Sequence, residues 1–321
     1  MKKGILLIVA LAAIMTAIVF TNASKPKTEN AYVVNVGVLP IPSSKLPFVI
    51  ADEQGFFREA GVQVKMTELQ SSNLVNDALV RGDVDVTPQI SVLPFLKTEL
   101  ISAGHMKIFS VTDLVADAPF DSLIIKSDSQ IETLKGLEGK KIGVFPGTTA
   151  MNLLKLFFKS KDIDAGSMQF VQLAPPQQPA ALASGSVDAL FAYEPLVSIS
   201  LTDGTAKKLY GSVYAEQVNH NPIGTGLLSA TFIQTHPKEA ANVVAALDKA
   251  YDYLRSHSAE SRTIEARLFS LTPEAAKLVS LPTYVHSEHI DTTTVEQLLT
   301  LFVASGELAS HPDVSHAYYQ P

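Results

Sequence analysis

The residues of this 321-residue chain best suited to chemistry sit in short loops, each following an apolar run. The sharpest is Phe145-Pro146-Gly147-Thr148-Thr149, which leads into Ala150. Small residues at a helix start leave backbone N–H groups open, and the helix dipole there favours an anion by about 0.3–1 kcal/mol. Thr148 and Thr149 add hydroxyl donors without charge, or else cap the helix. No Gly-Lys-Ser/Thr follows, so the pattern is not a nucleotide P-loop. Tyr193-Glu194-Pro195 closes a second run. Tyr193 could stack on a flat solute, or pack its ring while its hydroxyl finds a partner. Glu194 could pair with a cationic group, hold a hinge or cap the next helix, and hinge or ligand contact is the expectation. Pro40-Ile41-Pro42-Ser43-Ser44 offers two hydroxyls. Gln70-Ser71-Ser72-Asn73 and Thr87-Pro88-Gln89-Ile90-Ser91 offer polar contacts that would equally serve as caps, and Thr112 ends a further run.

Other chemistries lack their residues. The absence of Cys excludes disulfides, thiolate metal sites, Cys nucleophiles and a lipid-modified N-terminal Cys. His286-x-x-His289 with Glu288 is the one spacing suggestive of a metal, but it lacks the HExxH order. No catalytic residue, metal or cofactor is therefore expected. With 25 Lys+Arg against 32 Asp+Glu, a net charge of −7 and no basic cluster, a nucleic-acid partner is not expected. At 46% hydrophobic and 18% charged residues, the chain is not a disordered polyelectrolyte. Trp is absent, which leaves Phe48, Phe95, Phe145 and Tyr193 as stacking rings. Lys45 and Arg81 are the basic residues near the loops, and Arg81 reads as a solvated charge at a helix end.

These loops need elements to position them. Lys2 and Lys3, the uncharged run Gly4–Phe20 and Thr21-Asn22-Ala23 read as an export signal over residues 1–23, cut after Ala23 or kept as an anchor. A polar tether over 24–31 follows. Strands are expected at Val33–Leu39, Val62–Thr67, Val84–Thr87 and Lys107–Leu114, then at Ser122–Ile125, Lys141–Phe145, Phe170–Leu173 and Ala189–Ala192. Helices are expected around Pro47–Ala60, Leu74–Val80, Val92–Ala103, Ala150–Phe158 and Gln177–Ala183. This alternation predicts parallel sheets covered on both faces. After Asn221 the pattern reads as helices. Pro237–Ser256 carries one apolar face, Thr272-Pro273-Glu274 opens a helix through Val279, and Thr293-Thr294-Val295-Glu296 reads as a capping box. The chain also repeats itself. "VGVLP" at Val36–Pro40 returns as "IGVFP" at Ile142–Pro146, "GFF" at Gly55–Phe57 as "LFF" at Leu156–Phe158, and "LVRGDVD" at Leu79–Asp85 as "LASGSVD" at Leu182–Asp188. Three ordered matches at offsets of 106, 101 and 103 suggest one α/β unit used twice.

"LPFVIADEQGFFREAGVQVKM" (Leu46–Met66), "ALVRGDVDVTP" (Ala78–Pro88), "LKGLEGKKIGVFPGTTAMNLL" (Leu134–Leu154) and "LASGSVDALFAYEP" (Leu182–Pro195) run in order. Together with Gly224–Leu254 they resemble the solute-binding proteins of ABC importers for aliphatic sulfonates, nitrate, taurine and thiamine-pyrimidine precursors. The resemblance implies an α/β, two-lobe Venus-flytrap (periplasmic binding protein type II), each lobe a mostly parallel sheet flanked by helices. Lobe 1 would comprise 32–115 and 223–321, and lobe 2 would comprise 116–222. It implies a monomer in the periplasm or at the cell surface that takes a small-molecule solute to an ABC permease. In the family the Tyr193-Glu194 position lends an aromatic ring and an acid to the cleft wall. With strand-end loops as the binding edge, the expected ligand residues are Ile41, Ser43, Ser44, Gln70, Ser71, Gln89, Ile90, Thr112, Gly147, Thr148, Thr149, Pro175, Tyr193 and Glu194. A sulfonate- or carboxylate-like anion is the favoured solute. A pyrimidine against Tyr193, or a sensing rather than a transport role, is the alternative.

Overall fold

The first half of the molecule alternates strand and helix: β1 (Tyr32–Val38), α1 (Pro42–Glu53), α2 (Phe56–Glu59), β2 (Val62–Glu68), α3 (Ser72–Arg81), β3 (Val86–Ser91), α4 (Val92–Ile101) and β4 (Met106–Leu114). This is a computed structural model that describes residues 32–320; the expected export signal and tether lie outside the described residues. The chain continues through β5 (Asp121–Lys126), β6 (Lys141–Val144), α5 (Thr149–Ser160), β7 (Gln169–Gln172), α6 (Gln178–Ser184), β8 (Ala189–Tyr193), α7 (Leu196–Thr202) and β9 (Ala206–Gly211). It closes with α8 (Val213–Gln217), β10 (Asn221–Ser229), α9 (Ala230–Thr235), α10 (Pro237–Ser256), α11 (Ser258–Leu268), α12 (Pro273–Leu278), β11 (Thr283–His286) and α13 (Thr292–Ala304).

Two sheets result, with strand orders β11-β4-β10-β3-β1-β2 and β7-β6-β8-β5-β9. The strands β1–β2, β1–β3, β6–β7 and β6–β8 pair in parallel. One antiparallel strand is inserted in each sheet, β10 between β3 and β4 and β5 between β8 and β9. Apart from the edge strand β11, the two orders are the same pattern. The sequence repeats fall on it: "VGVLP" and "IGVFP" end β1 and β6. "LVRGDVD" and "LASGSVD" close α3 and α6 on left-handed glycines, Gly82 (φ 76°) and Gly185 (φ 74°). The third repeat is looser, since Gly55 at φ 80° breaks α1 from α2 whereas Leu156 lies inside an unbroken α5.

The expected helix at Pro47–Ala60 begins five residues earlier, at Pro42, whose fixed φ suits a first helical turn. Pro47 lies inside it and cannot donate to the carbonyl of Ser43. The Tyr284 hydroxyl of β11 donates there instead, at 2.6 Å. The strand expected at Val84–Thr87 runs on through Pro88 to Ser91. The register of β10 slips opposite this proline, between Thr225 and Leu227, which absorbs the missing N–H. The stretch after Asn221, expected to be helical, opens with β10. All nine of its residues are buried, so it lacks the alternation that marks a half-exposed strand. Its glycines are steric necessities: a Cβ on Gly224 would run into Thr112 Oγ1 and Gln89, and one on Gly226 into Ser110 Oγ. The box expected at Thr293–Glu296 is replaced by Asp291, whose carboxylate accepts from Thr293 N at 2.8 Å. The α10 face is buried as expected from Ala240 to Tyr251.

Candidate functional site

A cavity of about 60 Å³ lies between the two sheets, where the carboxyl ends of β1, β3, β6 and β8 face one another. Four helices begin at its wall. Ile41 precedes α1, Ser72 and Asn73 open α3, Ser91 caps α4, and Gly147, Thr149 and Ala150 start α5. A helix start carries backbone N–H groups and a positive dipole end, and residues of four such starts line the same small volume. None of the described residues lining it is Lys, Arg, Asp, Glu or His. Apart from Gln89, the remainder of the wall is apolar or aromatic and includes Phe120, Phe145, Tyr193, Tyr214 and Ile223.

The two sides touch. Ser91 Oγ donates to Thr149 Oγ1 at 2.9 Å, tying the end of β3 to the start of α5. Ser91 N in turn donates to Ser72 Oγ at 3.0 Å. Gln89, almost fully buried, lines the cavity with an Oε1 that has no protein partner. On the other side, Tyr193 stacks on Phe120 (centroids 5.6 Å apart, 14° between planes) and tilts against Phe145 at 5.8 Å. Its hydroxyl meets that of Tyr214 at 2.6 Å, and burial pushes both phenols up so that they stay protonated. Behind them Asp121 is buried. Desolvation lifts its carboxyl to about 7 against the opposing backbone N–H groups of Tyr214 and Val213.

Of the expected ligand residues, the structure brings Ile41, Gln89, Ile90, Gly147, Thr149 and Tyr193 together on this wall. It places the other eight elsewhere. Ser43 is wholly buried inside α1. Ser44 joins Leu39 N (3.0 Å) to Gln89 O (3.2 Å), fixing the loop after β1. Gln70 is exposed, and Ser71 caps α3 through Leu74 N at 3.3 Å. Thr112 is buried against Gly224. Thr148 occupies the cap position of α5 without making a cap bond or lining the cavity. The N–H of Gly147 is itself engaged, donating to Gln172 Oε1 at 3.0 Å. Pro175 and Glu194 line a neighbouring cavity of about 340 Å³. Glu194 stands just before α7 and accepts from Ser198 N (3.1 Å) and Ser198 Oγ (3.0 Å) in the first turn of that helix. Burial lifts its carboxyl to about 7, against the Ser198 bonds and the charge of Lys208.

Sequence reasoning did not select Ser72, Asn73, Ser91, Phe120, Tyr214 or Gly224. The first three stand in loops it had named, where cap and ligand roles share one signature. Phe120 and Tyr214 lie in the two crossings between sheets, which carry no periodic signal. The basic side chains near the loops are paired outside the cavity, Lys45 with Glu68 and Arg81 with Asp83. His286 sits against Asp248 at 3.0 Å, and no group of three or more metal-capable side chains occurs among the described residues. Nor is any described helix long and apolar enough to cross a membrane.

Comparison with known proteins decides the family, because the pattern described as NMT1/THI5 like matches residues 43–261. The chain belongs to the NMT1/THI5-like family. Among members related to it is a Bacillus subtilis (strain 168) protein named for binding aliphatic sulfonates, 26% identical over 87% of this chain and 82% of its own length. The taurine-binding periplasmic protein of Escherichia coli (strain K12) is 26% identical over 70% of this chain and 68% of its own. Among solved structures, the alkanesulfonate-binding protein SsuA from Xanthomonas axonopodis pv. citri, bound to MOPS, superposes with a TM-score of 0.73. That match has 20% identity and covers 91% of this chain and 99% of that one. The two sheets flanked by helices are therefore the two-lobed periplasmic binding protein fold.

Proposed function

We propose that this NMT1/THI5-like chain is the extracytoplasmic solute-binding subunit of an ABC importer, capturing an organic sulfonate between its lobes and delivering it to a membrane permease. The observation that carries this reading is the convergence of four helix N-termini on a small cavity whose wall bears no charged side chain. An anion there meets oriented N–H groups and hydroxyls without a fixed counter-ion. At roughly 15 Å³ per water, a cavity of about 60 Å³ takes about four waters, the scale of a sulfonate or carboxylate head. The names of the relatives favour the sulfonate. The pyrimidine alternative draws less support, because the Tyr193 face on which a ring would stack is already covered by Phe120.

Ser43, Ser44, Ser71 and Thr112 then act indirectly, by holding the loops and strands that shape the cavity, while Ser72, Asn73, Gln89, Ser91 and Thr149 meet the head group. No cofactor and no catalytic step enters this reading: Ser91 and Thr149 bond each other, and no base accompanies them on the wall. Residues 1–23 would direct export to the periplasm or cell surface, and the chain would act as a monomer.

The test is thermal unfolding of the purified protein against sulfonates, nitrate, carboxylates, amino acids and pyrimidine precursors. A ligand at 100 times its Kd should add about 2.7 kcal/mol, several degrees in midpoint. A saturable shift with sulfonates alone is expected. A shift with a pyrimidine and none with sulfonates would overturn the reading.

A further inference from the structure

Beside the head-group cavity lies the larger one, of about 340 Å³, and the two share Ile41, Phe145 and Tyr193 as a common wall. Their chemistry differs sharply. Five prolines line the larger chamber: Pro40 before α1 and Pro42 at its first position, Pro175 and Pro176 before α6, and Pro195 before α7. Proline carries no N–H and holds its φ fixed, so these walls are poor in donors and stiff before any ligand arrives. Leu196, Ile199 and Phe269 supply further apolar surface. The polar side chains of the wall are satisfied within the protein. Tyr193 bonds Tyr214, Glu194 bonds Ser198, and Gln178 Nε2 donates to the Leu173 carbonyl at 3.0 Å. An anionic or donor-seeking group entering here would give up water for little in return.

We propose that this proline-lined chamber is a second subsite that receives the apolar tail of the solute while its anionic head sits at the helix starts. The chain thereby selects sulfonates bearing an alkyl or aryl tail of several carbons over short ones. The inference rests on the sulfonate reading above and adds the tail as the element of selection. The chamber falls within the roughly 300–1,000 Å³ range of ligand pockets, and the narrow neighbour alone does not.

The experiment is calorimetric titration of the purified protein with methane-, butane-, hexane- and octanesulfonate, and with taurine. Kd should tighten about fourfold per added methylene until the chamber is filled. Taurine should bind at least tenfold more weakly than butanesulfonate. The octane-to-methane ratio of Kd should collapse toward unity in Ile199→Arg. In Phe269→Ala the best chain length should move upward, so a folding failure of the first variant does not end the test. Methanesulfonate binding with a Kd that does not change with chain length would overturn the tail chamber and leave the head site standing. A chain-length gain that survives in Ile199→Arg and does not move in Phe269→Ala would overturn it too. No binding of any sulfonate would overturn the functional reading, and the chamber with it.

Discussion

The two sheets share one strand order yet present opposite chemistries to the cleft. Beside the first stand Ser72, Asn73 and Ser91 at helix starts and Gln89 near the end of β3; beside the second stand Phe145 and Tyr193, which Phe120 and Tyr214 of the two crossings complete as an aromatic cluster closed by a phenol–phenol hydrogen bond. Topology was kept and the wall chemistry diverged, because strand order is set by the buried faces of the sheets whereas the loops at strand ends are free to change. The lesson is a division of labour within one cleft. A polar wall can hold a head group, and an aromatic wall can exclude water and border the apolar chamber.

Each of the following perturbations breaks one side of that contrast. The largest effect should come from Gly224→Val in the inserted strand of the first sheet. The new side chain meets Thr112 and Gln89, and about 3–4 kcal/mol of stability should be lost in urea unfolding. Next is the response to pH, which belongs chiefly to the second sheet. Asp121 and Glu194, together with Glu265 of α11, are buried and lifted to about 7, Glu265 by desolvation against Arg262 and with help from Glu194. A carboxyl raised in the folded state binds its proton more tightly there than in the unfolded chain. Its stabilisation is present below about pH 4 and is lost as pH rises through 7. Stability should therefore fall from pH 5 and level off by pH 8, by about 2–3 kcal/mol for each carboxyl acting alone, and Asp121→Asn should flatten the slope.

Tyr284→Phe removes the donor to the carbonyl that Pro47 leaves open and should cost about 1–2 kcal/mol. Thr149→Val cuts the Ser91 bond between the two walls, and solute affinity should drop about tenfold with the thermal midpoint little changed. The smallest effect sharpens the contrast between neighbours. Thr148→Ala should leave affinity within a factor of two, since this side chain makes no cap bond and does not reach the cavity. A Thr148 effect equal to that of Thr149 would mean that the head group sits on the outer lip of α5.

What was legible in the sequence follows the same division. The strands β1, β2, β4, β6 and β8 and the apolar face of α10 announced themselves through periodicity, and the paired motifs at Val36–Pro40 and Ile142–Pro146 mark equivalent strand ends. Hidden from it was β10, buried on both faces and so without strand alternation, in a stretch whose pattern reads as helices. The start of α1 was also missed, because a helix containing Pro47 needs the distant Tyr284 to be tolerable. The site was half legible. Gln89 and Thr149 lie where a strand end must lie, but whether Ser71 or Ser72 faces the cavity depends on which of them caps α3. That is a matter of one dihedral, on which residue type is silent.

The inserted strands carry one more consequence. The chain reaches β5 only after crossing to the second sheet, and β10 only after crossing back, so the gap between β3 and β4 is filled by residues more than a hundred positions downstream. Emerging from a ribosome amino end first, the chain exposes β1 to β4 long before their central partner arrives. The first sheet must wait, and closing it requires a contact of very long sequence separation, the kind that slows folding. The part made earliest is thus among the last to be finished.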